Sequence, residues 1–129
     1  MKNGVTLFWG FIILIIVALI GSSFFVNTGP SRYDAFAQCL KDKGAVMYGA
    51  FWCSHCQATK RAFGGAAKLL PYVECSTSNG QGQLPVCKDN GVESYPTWTF
   101  AGTTTRLTGE RTFAELAAMT GCELPQAAN

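Results

Sequence analysis

Cys53-Ser54-His55-Cys56 stands where a strand-like run, Ala45-Val46-Met47-Tyr48-Gly49-Ala50-Phe51-Trp52, passes into a helix-like run over 57–70. That placement constrains the fold more than any other feature. A thiol at the first turn of a helix faces unpaired backbone N–H groups and the positive end of the helix dipole, both of which favour thiolate over thiol. Cys53 is therefore the expected nucleophile. Cys56, three residues on and one turn inward, is placed to attack a mixed disulfide on Cys53 and release the partner.

From Gly4 to Ser31 there is no charged residue, and residues 5–26 are almost wholly apolar, long enough to cross a hydrocarbon core of roughly 30 Å as a helix. A transmembrane anchor over 1–28 is expected. A cleaved signal peptide competes, with Gly21-Ser22-Ser23 as its cleavage site, but the apolar run continues beyond it through Phe24-Phe25-Val26. Phe8, Trp9 and Phe11 would face lipid or its interface. Lys2 and the α-amino group precede the segment, while Arg32 and Asp34 offset each other after it. The positive-inside rule then puts the N-terminus in the cytoplasm and the remaining domain on the extracytoplasmic side of a single-pass membrane protein.

All six cysteines follow the apolar segment, in keeping with an oxidising compartment, where disulfides persist. Residues 29–32 read as a linker, 33–122 as one domain and 123–129 as a tail; a second domain has no room. The net charge of +2, with both signs interspersed, gives no basic stripe of the kind that tracks phosphates, so nucleic acid is not an expected partner. No internal repeat is visible, and the one low-complexity patch, 76–83, is a polar loop.

Local signals place the elements. Ser31 and Asp34 resemble an N-cap, Phe36, Cys39 and Leu40 share a helical face, and Gly44 can end that helix. A buried strand follows over 46–51, then the Cys53 helix, with Cys56, Phe63 and Leu70 inward and a kink at Gly64-Gly65. A strand over 72–75, a helical piece over 86–90, and a hairpin of 97–101 and 104–108 turning at Gly102 come next. Thr112 and Glu115 form a capping box for a last helix with Phe113, Leu116, Ala117 and Thr120 on one face, stopped by Gly121. The order is αβαβαββα.

That order, with the cysteine motif between a strand and its helix and Tyr95-Pro96-Thr97 entering the hairpin, resembles the thioredoxin fold, an α/β fold in which helices flank a central mixed sheet. The segments 91–97 and 107–111 are similar to protein disulfide isomerase domains. Tyr48-Gly49-Ala50-Phe51-Trp52-Cys53-Ser54-His55-Cys56, Tyr72-Val73-Glu74-Cys75, Tyr95-Pro96-Thr97-Trp98 and Leu107-Thr108-Gly109-Glu110 resemble the thioredoxin-like domain fused to vitamin K epoxide reductase homologues of cyanobacteria and plants.

The resemblance implies a cis Pro96 beside the active cysteines, with the Tyr95 backbone facing the Cys53 sulfur and able to pair with an extended substrate strand. It also implies electron exchange between substrate thiols and a quinone-reducing membrane partner. The multi-helix reductase is absent from this sequence, so a quinone-linked oxidoreductase of the vitamin K epoxide reductase type would be a separate protein. In thioredoxin and protein disulfide isomerase a buried carboxylate lies six residues before the first cysteine and helps move the proton of the resolving thiol. Here that position is Met47, so the proton must use water or another group.

His55, the one histidine of the chain, can stabilise the Cys53 thiolate by charge or hydrogen bonding, which makes the disulfide a better oxidant. Oxidases and isomerases of the superfamily carry His there and reducing thioredoxins carry Pro. The expected range is roughly −120 to −200 mV rather than about −270 mV. The plainer reading of His55 is an exposed helix residue.

Cys75 and Cys87 would close a short loop, a cross-link contributing roughly 2 to 3 kcal/mol by chain entropy. A structural disulfide is favoured over a second redox pair relaying electrons, which the resemblance permits through cysteines at matching positions. Cys39 and Cys122 are paired by elimination alone. Thioredoxin topology would put their helices on opposite faces of the sheet, leaving free thiols or pairing with another chain open. A zinc site of Cys53, Cys56, Cys75 and Cys87 is the main non-redox alternative, but the second half lacks the C-x-x-C of a zinc knuckle. Trp52 and Tyr95 are candidate substrate contacts; Trp98 alternates with Phe100 on a strand and reads as core.

The sequence thus points to a membrane-anchored extracytoplasmic thiol-disulfide oxidoreductase, without a bound cofactor, that oxidises or isomerises disulfides of protein substrates. Cys53 and Cys56 exchange electrons, His55 tunes the thiolate, and Trp52, Tyr95 and Pro96 bind substrate. A reductase of outward-facing thiols and a redox-inactive binding module are the alternatives.

Overall fold

The computed structural model describes residues 2–25 and 30–125. Residues 26–29 of the expected anchor and linker, and 126–129 of the expected tail, lie outside the described residues. Helix α1 covers Lys2–Phe25. Among the described residues no helix is long and apolar enough to cross a membrane. The expected span is therefore observed as a helix only.

The remaining elements follow the expected order: α2 (Asp34–Asp42), β1 (Val46–Gly49), α3 (Ser54–Phe63), a 3₁₀ segment (Gly64–Leu69), β2 (Tyr72–Glu74), α4 (Pro85–Asp89), β3 (Thr97–Thr99), β4 (Arg106–Thr108) and α5 (Phe113–Thr120). Strands are shorter than expected, because β1 stops at Gly49 to turn into the cysteine motif and the hairpin arms splay beyond Thr99 and before Arg106. Gly64, at φ 55°, interrupts the helix where a kink is expected, leaving α3 followed by a 3₁₀ turn. Ser31 and Asp34 do not cap α2. They close a turn ahead of it, with Ser31 N–H donating to Asp34 Oδ2 at 3.0 Å, and the helix begins after Tyr33 without a side-chain cap. The capping box forms as expected: Glu115 N–H donates to Thr112 Oγ1, the Glu115 carboxylate accepts from Thr112 N–H, and Gly121 ends α5 in the left-handed region.

The sheet order is β2-β1-β3-β4. Strands β1 and β2 are parallel, and α3 with its 3₁₀ extension supplies the crossover that parallel neighbours require. Strand β3 is antiparallel to both β1 and β4. This mixed sheet flanked by helices fits a thioredoxin-like fold.

Alternation divides the sheet into two faces. Met47, Trp98, Leu107 and Tyr72 point to the larger core with Phe36, Leu40, Phe63 and Leu116; Tyr48 and Val73 point to a smaller one with Cys75, Cys87 and Val92. Trp98 is fully buried, as its strand position implies.

Helices α2 and α5 do not lie on opposite faces of the sheet, where thioredoxin topology would put them. Phe113 of α5 meets Phe63 of α3 edge-on at 4.7 Å, Phe36 of α2 at 5.4 Å and Tyr33 at 5.1 Å, and such pairs add to the area they bury. The aromatic cluster draws α2, α3 and α5 to one face, while the other is covered by the short α4 and the Cys75–Cys87 loop.

Candidate active site

Cys53 is the N-cap of α3, in extended conformation, and its sulfur accepts a hydrogen bond from Cys56 N–H at 3.4 Å. The same thiol lies 3.6 Å from the carbonyl oxygen of Tyr95, to which it can donate. The Tyr95–Pro96 peptide is cis. The start of α3 and the entry to β3, 42 residues apart in sequence, thus meet at one sulfur.

Cys53 and Cys56 are both free and both buried. They differ in their surroundings. Burial of Cys56, helped by its hydrogen bond with Cys53, pushes its thiol up to about 12, against a smaller lowering by the Ala50 backbone and Lys60. Gly49 explains how the sulfur fits: a Cβ there would stand 2.8 Å from Cys56 Sγ and 2.8 Å from Tyr72 Cε2. The thiol and the tyrosine ring edge both border the space that glycine leaves.

Tyr72 donates its phenolic hydrogen to Glu74 Oε2 at 2.7 Å, and Glu74 Oε1 accepts from Ser76 N–H at 2.8 Å and Phe51 N–H at 3.2 Å. Lys60 Nζ sits 3.3 Å above the Tyr72 ring centre. Burial and the bond to Glu74 push the Tyr72 phenol up, so it stays neutral. None of Gly49, Lys60, Tyr72 and Glu74 was singled out from the sequence as a site residue. A glycine inside a strand does signal close approach, and Tyr72 and Glu74, two apart on β2, share a face beside Met47 and Gly49.

His55 is exposed. Its Nδ1 lies 2.6 Å from Glu110 Oε1, with the two side chains 67% and 50% accessible. Glu110 is therefore the partner that the structure gives His55, and the sequence carries no signal for it across 55 residues.

Trp52 is half exposed at 52%. Its indole N–H donates to Ser76 Oγ at 2.8 Å, and its ring meets Tyr95 edge-on at 6.0 Å. Phe51 is exposed beside it. The Tyr95 hydroxyl accepts from Gln83 Nε2 at 2.9 Å, so the polar loop 76–83 braces this aromatic rim.

Cys75 is bonded to Cys87 and Cys39 to Cys122. The first bond lies in the small core; the second joins α2 to the residue after Gly121, which the common face of α2 and α5 allows. With Cys75 and Cys87 joined to each other, a four-thiolate zinc site is not assembled.

No family model matches the chain. It is similar to the thiol-disulfide oxidoreductase LTO1 of Arabidopsis thaliana, 48% identical over 107 residues that cover 79% of this chain and 28% of that protein. The chain thus spans little more than a quarter of the length of the curated relative it matches.

Proposed function

We propose that this chain is a protein thiol-disulfide oxidoreductase in which Cys53 and Cys56 form the redox pair. One observation carries the reading: of six cysteines, four are bonded in two disulfides away from the motif, and the two left free share the N-terminus of α3 beside the Tyr95 carbonyl. The similarity to a thiol-disulfide oxidoreductase of Arabidopsis thaliana supports it.

In the oxidising direction, a substrate thiolate attacks Cys53 of the Cys53–Cys56 disulfide, forming a mixed disulfide and releasing the Cys56 thiolate, which takes a proton. A second substrate thiolate attacks the substrate sulfur of that bond. The substrate leaves oxidised by two electrons, and the pair is left as the dithiol. Regeneration passes those electrons to an acceptor, for which we propose a separate quinone-linked membrane oxidoreductase of the vitamin K epoxide reductase type. The Tyr95 backbone lies where an extended substrate strand could pair, Pro96 follows it, and Trp52 offers an apolar contact. His55 is proposed to favour the Cys53 thiolate and hence oxidation.

Anchoring belongs to the same proposal. Leu7, Phe8, Phe11, Leu14 and Val17 are all exposed around α1, and a helix apolar on all sides requires an apolar surrounding. We place the N-terminus in the cytoplasm and the cysteine pair on the extracytoplasmic side.

The test is the potential of Cys53–Cys56 in the full chain in mild detergent, equilibrated with glutathione buffers, together with oxidation of a reduced protein substrate. A value near or above about −200 mV supports an oxidant; one near about −270 mV supports the reductase reading instead. Substrate oxidation that survives Cys53→Ser would overturn the assignment.

A further inference from the structure

The chain carries one chemical problem to which its sequence offers no evident answer. When Cys53 is held in a mixed disulfide, release requires Cys56 to attack as thiolate. Burial holds that thiol well above its ordinary value, so at neutral pH the thiolate is scarce. Desolvation, the largest cause, persists whether or not Cys53 is free. A proton acceptor beside Cys56 is needed, and Met47, fully buried on the same sheet face, cannot be one.

We propose that Tyr72, backed by Glu74, takes the proton of Cys56 during resolution, a role that rests on the oxidoreductase reading above. The titratable and charged groups facing Cys56 are few. Cys53 lies in the same turn and is occupied in the mixed disulfide. Lys60 lies one turn on and is cationic, unable to accept. Tyr72 and Glu74 come from β2, and the sulfur and Tyr72 Cε2 each lie 2.8 Å from the point where a Gly49 Cβ would stand. The phenol already donates to Glu74 Oε2 at 2.7 Å. A proton arriving at the phenolic oxygen therefore displaces one onto the carboxylate, and Tyr72 stays neutral throughout. Lys60, 3.3 Å over the ring, favours the anion appearing on Cys56. Glu74 acts through Tyr72 and is a positioning residue, aimed by the Phe51 and Ser76 amides.

The step balances. The S–H bond of Cys56 breaks and its proton passes through Tyr72 to Glu74. The Cys56–Cys53 bond forms as the bond from Cys53 to the partner sulfur breaks. The partner leaves as thiolate and collects a proton from solvent or from Glu74.

Reduced full chain in mild detergent, mixed rapidly with the aromatic disulfide dithiobis-nitrobenzoate, releases coloured thiolate twice. The first release reports attack by Cys53 and the second reports resolution by Cys56. Tyr72→Phe and Glu74→Gln are expected to leave the first phase within about twofold and to slow the second at least about tenfold near neutral pH, a modest share of what positioned proton transfer supplies. The deficit should close toward about pH 11, where hydroxide removes the proton directly. A second phase unchanged in both variants, or slowed equally at every pH, would overturn the proposal, since a purely packing role has no such pH profile. Absence of any second phase in the unmodified protein would instead sink the oxidoreductase reading. Should Tyr72→Phe fail to fold, Glu74→Gln decides, because its remaining amide oxygen can still accept from the Phe51 and Ser76 amides.

Discussion

Replacing Gly49 by alanine adds one methyl group at the most crowded point of the site, and the structure sets the size of the effect. The new Cβ would meet Cys56 Sγ and Tyr72 Cε2, each at 2.8 Å, and Cys56 Cβ at 3.4 Å. None of these is the loose end of a flexible chain. Cys56 is 1% exposed on α3; Tyr72 is tethered at its hydroxyl by Glu74 and covered by Lys60. Overpacking of this kind costs about 1–3 kcal/mol. Relief of glycine's extra chain entropy in a strand returns about 0.5–1 kcal/mol, leaving a net loss of about 1–2 kcal/mol. For a folded domain of this size that lowers Tm by about 5–15 °C. The measurement is thermal unfolding of the full chain in a Cys53→Ala background, so that Cys56 stays a free thiol. Adding Cys56→Ala removes the sulfur but not the Tyr72 contact, so Gly49→Ala should then cost about 1 kcal/mol less. A stabilising Gly49→Ala, or additivity of the two changes within about 0.5 kcal/mol, would refute the packing argument.

The two disulfides should differ in worth. By chain entropy, removing Cys39–Cys122, 83 residues apart, costs about 4.5 kcal/mol, and removing Cys75–Cys87, 12 apart, about 3 kcal/mol; urea denaturation of the paired alanine variants checks the order. Bonds from the Thr112 amide and hydroxyl, aided by Arg111, hold the Glu115 carboxyl below its usual range. A depressed folded value stabilises above the unfolded value and is lost as pH falls through the folded one, so the stability gap to Glu115→Gln should be full at neutral pH and close in acid. If His55 favours the Cys53 thiolate by about 1.4 kcal/mol, His55→Ala lowers the pair's potential by about 30 mV, read in glutathione buffers; an unchanged potential would leave His55 as no more than the surface partner of Glu110.

Legibility in the sequence followed distance along the chain. The capping box of α5, the αL glycine after it, the break at Gly64 and the place of Cys53 at the head of α3 are all fixed within a turn or two, where spacing rules apply directly. Ser31 and Asp34 show the limit even there: the residues pair as a cap would, but close a turn before the helix instead. The shared face of α2 and α5 was not legible. It depends on Phe36, Phe63 and Phe113 meeting from three helices, and periodicity says which side of a helix is apolar without saying which neighbour covers it. The Cys39–Cys122 bond follows from that packing, which is why elimination named the pair while topology argued against it.

The same division runs through the site. The surroundings of Cys53 are local apart from the Tyr95 carbonyl: the helix end, the Cys56 amide and an exposed rim. Those of Cys56 are assembled across β1 and β2, from a glycine that makes room, a tyrosine that fills it and a glutamate that holds the tyrosine. Trapping and resolving therefore answer to different residues. Substitutions near His55 should move the potential and the first step. Substitutions at Gly49, Tyr72 and Glu74 should move the second, so that the lifetime of the mixed disulfide can change while the chemistry of the first attack stays the same.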